Sequence, residues 1–288
     1  MASLFPYWLI APIGLLLLAV TFYPLVYAVW LSLTNAKLLT IAKAHFIGLS
    51  NFLALLHDTT FIDSLWRTLR WDVSVVGLEL LIALPVALFL NLEFRGRGFV
   101  RAAVIIPYIV PQAVTGLMWV YMFDGNFGVF NDILLRLGII GEFVSWMSDP
   151  NGSFAIVVAA MTWSGMPLIT IILLAALQTI PKDLYEAAGI DGATVWQKFC
   201  HITIPHLVPT ILFIMLLRVI WMSNSIDMIF VMTGGGPGFA NYTTAVYSFI
   251  QTGRLDIGYS SAIAVCLALI LMFISIFYVR HLVKQVLE

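Results

Sequence analysis

The chain predicts an all-α, polytopic membrane protein with six transmembrane helices. Two observations carry that prediction. Of 288 residues, 61% are apolar and only 10% are charged, too little charge to cover a water-facing surface of this size. The apolar residues also gather into runs of about 20 or more, the length needed to cross a bilayer core. A net charge of −1 gives no reason to expect nucleic acid as a partner.

Six runs qualify, at about 7–33, 69–92, 102–123, 153–180, 208–232 and 259–282. The first is longer than a signal core and lacks a basic lead, so it reads as a retained helix. Segment 34–63, with HFIGLSNF, is expected on the external surface, leading into the second span. In the third, IIPYIVPQ sets Pro107 and Pro111 where each removes a backbone donor, and a kink is expected. Segment 124–150 reads as a long external loop with a short helix across 129–137. TGGGPG at 233–238 reads as a flexible re-entry loop. It lacks the Lys-Ser/Thr that completes a phosphate-binding P-loop, so no ATP site is expected on this chain. The cysteines, Cys200 and Cys266, and the five histidines show no metal-ligand spacing.

Six spans put both termini on one side of the membrane. That side carries Arg95, Arg97, Arg101, Lys182, Lys198, Arg280 and Lys284. The other carries Lys37, Lys43, Arg136 and Arg254, joined by Arg67 and Arg70 if the second span starts after them. Lys and Arg accumulate in cytoplasmic loops, so the termini are expected in the cytoplasm, together with the loop between spans four and five.

That loop, DLYEAAGIDGATVWQKF at 183–199, is a compact charged insert between two greasy runs. Pro181 ends the preceding span. Asp183 stands where an N-cap is wanted, with Glu186 three residues later as in a capping box. Ala187 and Ala188 favour helix, Gly189 and Gly192 break it, and ATVWQKF begins a second short helix. Caps and charge also suit any solvated loop, so composition alone assigns the insert no function.

The wider pattern does. EAA at 186–188, Gly192 and ITIP at 202–205 resemble the EAA signature of permease subunits of ATP-binding-cassette (ABC) importers, with Ile204 where leucine is usual before the proline. FIGLSNF, IIPYIVPQ, SIDMIFVMTGGGPG and GYSSAIAV are similar to the sugar-importer branch, which includes maltose and glycerol-phosphate permeases. The resemblance implies a type I ABC importer permease fold, one transmembrane domain over 1–288, and multi-pass location in a bacterial inner membrane. It implies that 183–199 forms coupling helices, with Glu186, Ala187, Ala188 and Gly192 meeting an ATPase; Trp196 and Phe199, as large aromatic side chains, suit anchors for the insert. It implies as partners a second, homologous permease chain forming a heterodimer, two cytoplasmic ATP-binding subunits, an extracytoplasmic solute-binding protein and a sugar. ATP and Mg would be bound by the partner ATPase, with no cofactor on this chain and no catalytic residue. The mechanism implied is alternating access.

Ionisable residues inside spans are costly and usually face protein or water. This chain has Asp72, Glu79, Arg218 and Asp227 there. Asp72 and Glu79 share one helix face, where they serve the pathway, hold helices together or lie near the membrane interface. Residues 218, 222 and 225 lie in a narrow stripe of a continuous helix. The resemblance assigns Arg218, Met222 and Ser225 to the substrate cavity, together with Tyr108 and Gln112 and with Ser164, Gly165 and Leu168. Tyr108 and Gln112 are four residues apart, as are Ser164 and Leu168, so each pair shares a helix face. An arginine suits a carboxylate, phosphate or sulfonate. Arg218 therefore points either to a cargo with an anionic group or to an acid on this or another subunit.

Two other classes share some of these features. A secondary transporter or channel without an ATPase partner would have similar spans but leaves the EAA pattern unexplained, and no inverted repeat is visible. An intramembrane hydrolase needs converging acids, and Asp72 and Glu79 stand two turns apart, about 10 Å.

Overall fold

The computed structural model describes residues 5–287, with side chains from 9 to 280. The ends of the expected 1–288 domain, residues 1–4 and 288, lie outside it, as does the Lys284 side chain. Among the described residues the secondary structure is helical, with two isolated bridges, Thr34 to Phe46 and Lys37 to Asp256. The helices are α1 (Phe5–Leu17), α2 (Tyr23–Ser32), α3 (Ser50–His57), α4 (Thr59–Asn91), α5 (Arg97–Ile109), α6 (Gln112–Met122) and α7 (Val129–Arg136). They continue with α8 (Pro150–Gln178), α9 (Lys182–Ile190), α10 (Val195–Lys198), α11 (Ile204–Ser223), α12 (Asp227–Thr233), α13 (Thr244–Gly253) and α14 (Ile257–Leu287). Among the described residues five helical stretches are long and apolar enough to cross a membrane. They are Leu9–Ser32, in which the π turn Leu18–Phe22 joins α1 to α2, then Thr59–Asn91, Pro150–Gln178, Val195–Ser223 and Ile257–Arg280, or six if the bent pair α5 and α6 counts as one span.

Three expected spans change shape. The second starts ten residues earlier than 69, because α4 opens at Thr59 and runs unbroken through Pro85 to Asn91. The third is a break and not a kink: α5 and α6 meet at 93°. Val110, held extended before Pro111 at ψ 127°, cannot continue a helix, because proline disfavours the α conformation of its predecessor. The fifth stops at Ser223 and resumes as the short α12.

The chain forms two compact units. One comprises Met1–Ser64 and Tyr247–Leu271. There the backbone after α2 pairs with the start of α14, Gly258 N donating to Ala36 O at 2.8 Å. A Cβ on Gly258 would strike Thr34 O, which explains the glycine of the GYSSAIAV block. Asp58 precedes α4 and accepts from Thr60 N at 2.9 Å, Tyr247 Oη at 2.5 Å and Tyr259 Oη at 2.6 Å.

The second unit comprises Leu65–Val246 and Met272–Glu288. Its core sets Ala83, Ala87 and Leu90 of α4 against Ile169, Leu173 and Leu177 of α8 and Leu207 and Ile214 of α11. Ala83 and Ala87 are fully buried and one turn apart. Lipid is as apolar as leucine, so helices in a bilayer gain by close packing, which small residues permit. The loop 124–149 is organised by Asn131, whose Nδ2 donates to Asp124 O and Val144 O and whose Oδ1 accepts from Trp146 Nε1 at 2.8 Å. The glycine turn after α12 is tied down. Gly234, Gly235 and Gly238 have positive φ, and Asn241 Nδ2 donates to Gly236 O and Ser153 Oγ, each at 2.7 Å.

Candidate functional site

The insert between α8 and α11 begins one residue before the expected N-cap. Pro181, at ψ 132°, ends the preceding chain and caps α9, so Asp183 sits inside the first turn. There its carboxylate faces the positive end of the helix dipole. The capping box lies elsewhere, at α10. Thr194 Oγ1 accepts from Gln197 N at 3.3 Å, and Gln197 Oε1 accepts from Thr194 N at 2.7 Å. At α9 the cap position is held by Pro181, which has no side-chain acceptor, and no side chain caps the first turn.

Gly192 adopts φ +76° and nothing lies within 4 Å of where its Cβ would be. Within this chain its freedom is spent on the turn: Gly192 N donates to Gly189 O and Ala193 N to Ala188 O. The turned chain then enters α10, the wide π turn Phe199–Thr203 and α11, forming one continuous span, Val195–Ser223. Tyr185 of α9 bridges to Thr203 at 2.9 Å. Glu186 and Ala187 are exposed and Ala188 is half-buried. Ile190, Val195 and Trp196 present apolar side chains that are 89%, 86% and 70% exposed. Trp196 packs on Phe199 with ring centroids 5.4 Å apart. Behind them lies a groove of about 800 Å³, lined by Leu88, Phe89, Leu177 and Tyr185 among others.

The expected pathway residues divide by exposure. Tyr108 is 50% exposed and Gln112 is exposed, but they stand on either side of the break, on separate helices and not on one face. Ser164, Gly165, Arg218 and Met222 are buried by this chain alone, while Leu168 and Ser225 are half-buried. Ser225 lies beyond the end of α11, so the stripe of 218, 222 and 225 does not hold as a helix face. Asp227 is exposed at the start of α12.

Arg218 is taken up by Glu79. Its Nε donates to Glu79 Oε2 at 2.8 Å and its Nη2 donates to Oε1. Glu79 has no accessible surface and Arg218 is 6% exposed. A Cβ on Gly165 would overlap the Glu79 carboxylate and come 2.5 Å from Arg218 Nη2, so α8 supplies a glycine where the pair sits. Removing one partner of such a buried pair typically costs ~3–5 kcal/mol. Two further contacts join α4 to the end of α11. Trp71 Nε1 donates to Met222 O at 3.1 Å, and Ser223 Oγ donates to Asp72 Oδ2 at 2.5 Å. Among the described residues, Asp72 Oδ1 is buried without a hydrogen-bond partner. The shared face of Asp72 and Glu79 was legible, but their partners were not, since Glu79 and Arg218 are 139 residues apart.

The family profile described as "Binding-protein-dependent transport system inner membrane component" matches residues 79–288. The chain is 36% identical over 94% of its length, and 88% of the relative's, to the sulfoquinovosyl glycerol transport system permease protein SmoG of Agrobacterium fabrum. It is also 36% identical to the trehalose/maltose transport system permease protein MalF of Thermococcus litoralis, over 95% of this chain and 92% of that one. Its fold matches a chain of the crystal structure of a bacterial alginate ABC transporter in complex with alginate pentasaccharide-bound periplasmic protein. That match has a TM-score of 0.83 at 22% identity and covers 98% of this chain and 94% of the other. The extent of these matches, over the EAA insert and the core helices alike, shows that the chain belongs to the inner membrane components of binding-protein-dependent transport systems, as a translocation subunit with the ABC importer permease fold.

Proposed function

We propose that the chain is the permease subunit of an importer for a sugar or sugar derivative and works as one transmembrane domain over 1–288. The observation that carries this reading is the insert: an exposed apolar tip on a braced turn, continuous with the fifth span. Exposed apolar clusters mark contact surfaces, and a continuous helix transmits displacement that a loose loop would absorb. Glu186, Ala187, Ala188 and Gly192 lie on this knob and meet a cytoplasmic ATPase, which binds ATP and Mg. A second, different permease chain completes the pathway, an extracytoplasmic binding protein delivers cargo, and both termini are cytoplasmic.

The pathway wall has two layers. Tyr108 and Gln112 stand exposed, ready to hydrogen-bond a sugar. Ser164, Gly165, Leu168, Arg218, Met222 and Ser225 lie at or behind the surface and are reached as the helices move. The curated names of SmoG and MalF support a sugar-type cargo. The first, a sulfoquinovosyl glycerol system, together with the arginine in the wall, favours a cargo bearing an anionic group. The test is reconstitution with the candidate ATPase, partner permease and binding protein. Co-purification and ATP-dependent uptake are expected; uptake that needs no ATPase would return the chain to the secondary transporters. A thermal-shift screen of the cognate binding protein against neutral and acidic sugars identifies the cargo.

A further inference from the structure

We infer that Glu79 is a built-in competitor for an anion site at Arg218 and thereby sets which charge the pathway accepts. This rests on the importer reading above and names the residue that governs its charge selectivity. Arg218 lies in the wall assigned to cargo, yet Nε and Nη2 are both engaged by Glu79. That paired geometry is the one a carboxylate, phosphate or sulfonate on a cargo would use. The protein thus supplies its own cargo-like group, on a neighbouring helix. Gly165 provides the room, since a Cβ there would overlap Glu79.

A purely mechanical tie is a poor account of the pair. Two independent contacts, Trp71 to Met222 and Ser223 to Asp72, already fasten α4 to the end of α11. Uncharged cargo can move along the wall and leave the pair intact. A cargo with an anionic group engages Arg218 only by taking the place of Glu79. In either case removal of the Glu79 charge leaves Arg218 free to hold an anion.

The probe is sulfate, titrated at constant ionic strength onto the assembled transporter in nanodiscs and read by thermal shift. Glu79→Gln keeps the side-chain shape and removes the charge. It should bind sulfate at least about tenfold more tightly than wild type, a coupling of ordinary size. Its uptake of uncharged sugar should become sensitive to sulfate while wild type stays insensitive. Glu79→Asp, one methylene shorter, should show an intermediate gain and serves if Glu79→Gln fails to accumulate. In Glu79→Met/Arg218→Met, where apolar side chains replace the pair, the gain should vanish. Sulfate responses equal to wild type in both single variants, or a gain that persists in the double variant, would overturn the assignment. Sulfate binding is read without turnover, so a transporter that takes up no sugar, which would defeat the importer reading, leaves the binding outcomes readable.

Discussion

The Tyr185 hydroxyl lies 2.9 Å from Thr203 Oγ1, a bridge from the first helix of the insert to the wide turn that opens the fifth span. It braces the knob against the element it is proposed to move. Tyr185→Phe removes the bridge and keeps the ring, a loss of ~0.5–1.5 kcal/mol. The variant should accumulate normally, while uptake per ATP hydrolysed falls by up to about tenfold, the most a loss of that size allows. An unchanged ratio would mean that other contacts hold the insert.

Glu186 and Gly192 test the surface itself. Both are exposed, so Glu186→Lys and Gly192→Trp should leave the chain folded in the membrane and separate ATP hydrolysis from uptake. Gly192→Ala isolates the backbone contribution, because its methyl would enter open space while φ stays at +76°. A left-handed conformation costs a non-glycine residue ~1–2 kcal/mol. A small stability loss with partial uncoupling is expected from Ala, and full uncoupling from Trp. Normal coupled uptake in the Lys and Trp variants would remove the coupling assignment.

Gly165→Ala forces a methyl into the Glu79–Arg218 pair. Overpacking of this kind costs ~1–3 kcal/mol, visible as a lower midpoint in detergent unfolding. The penalty should shrink in a Glu79→Asp background, where the carboxylate is drawn back. Strict additivity of the two substitutions would show that they do not share a site.

Asp58 gives a prediction in pH. Burial favours its protonated form, but hydrogen bonds from Tyr247, Tyr259 and the Phe61 and Thr60 amides outweigh it, and the carboxyl is held below its ordinary value. The complementary effect pushes Tyr247 up to about 12, through burial first and its bond to Asp58 second. A depressed carboxyl stabilises the fold above the ordinary aspartate value and loses that stabilisation as pH falls through the lower, folded value. The Tm gap between wild type and Asp58→Asn should therefore stay constant from neutrality to about pH 4 and narrow below it. A gap that closes already between pH 7 and pH 5 would show that Asp58 is not held ionised by this cluster.

Much of the architecture was readable because it depends on composition and local period. Apolar run lengths marked the spans, and Pro111 marked the interruption of the third. What made it a 93° break was packing, since α6 settles against α8 and α12. The helix expected across 129–137 runs over Val129–Arg136, because its signals lie within one short segment. The capping box was misplaced at Asp183, since α9 opens at Lys182 with Pro181 in the cap position, and local pattern does not fix a helix end to within a residue.

By itself the sequence determined a lipid-embedded helical chain, interrupted by an EAA insert between two of its spans, because run length, prolines and caps act over a few residues. Only the tertiary structure decided that Arg218 is answered by Glu79, and that Ser225 leaves the helix of its supposed stripe. It alone joined the second insert helix to the fifth span through Phe199–Thr203. These depend on which helices approach one another and where a helix end is held. Contacts between residues 139 positions apart leave no trace in a local period.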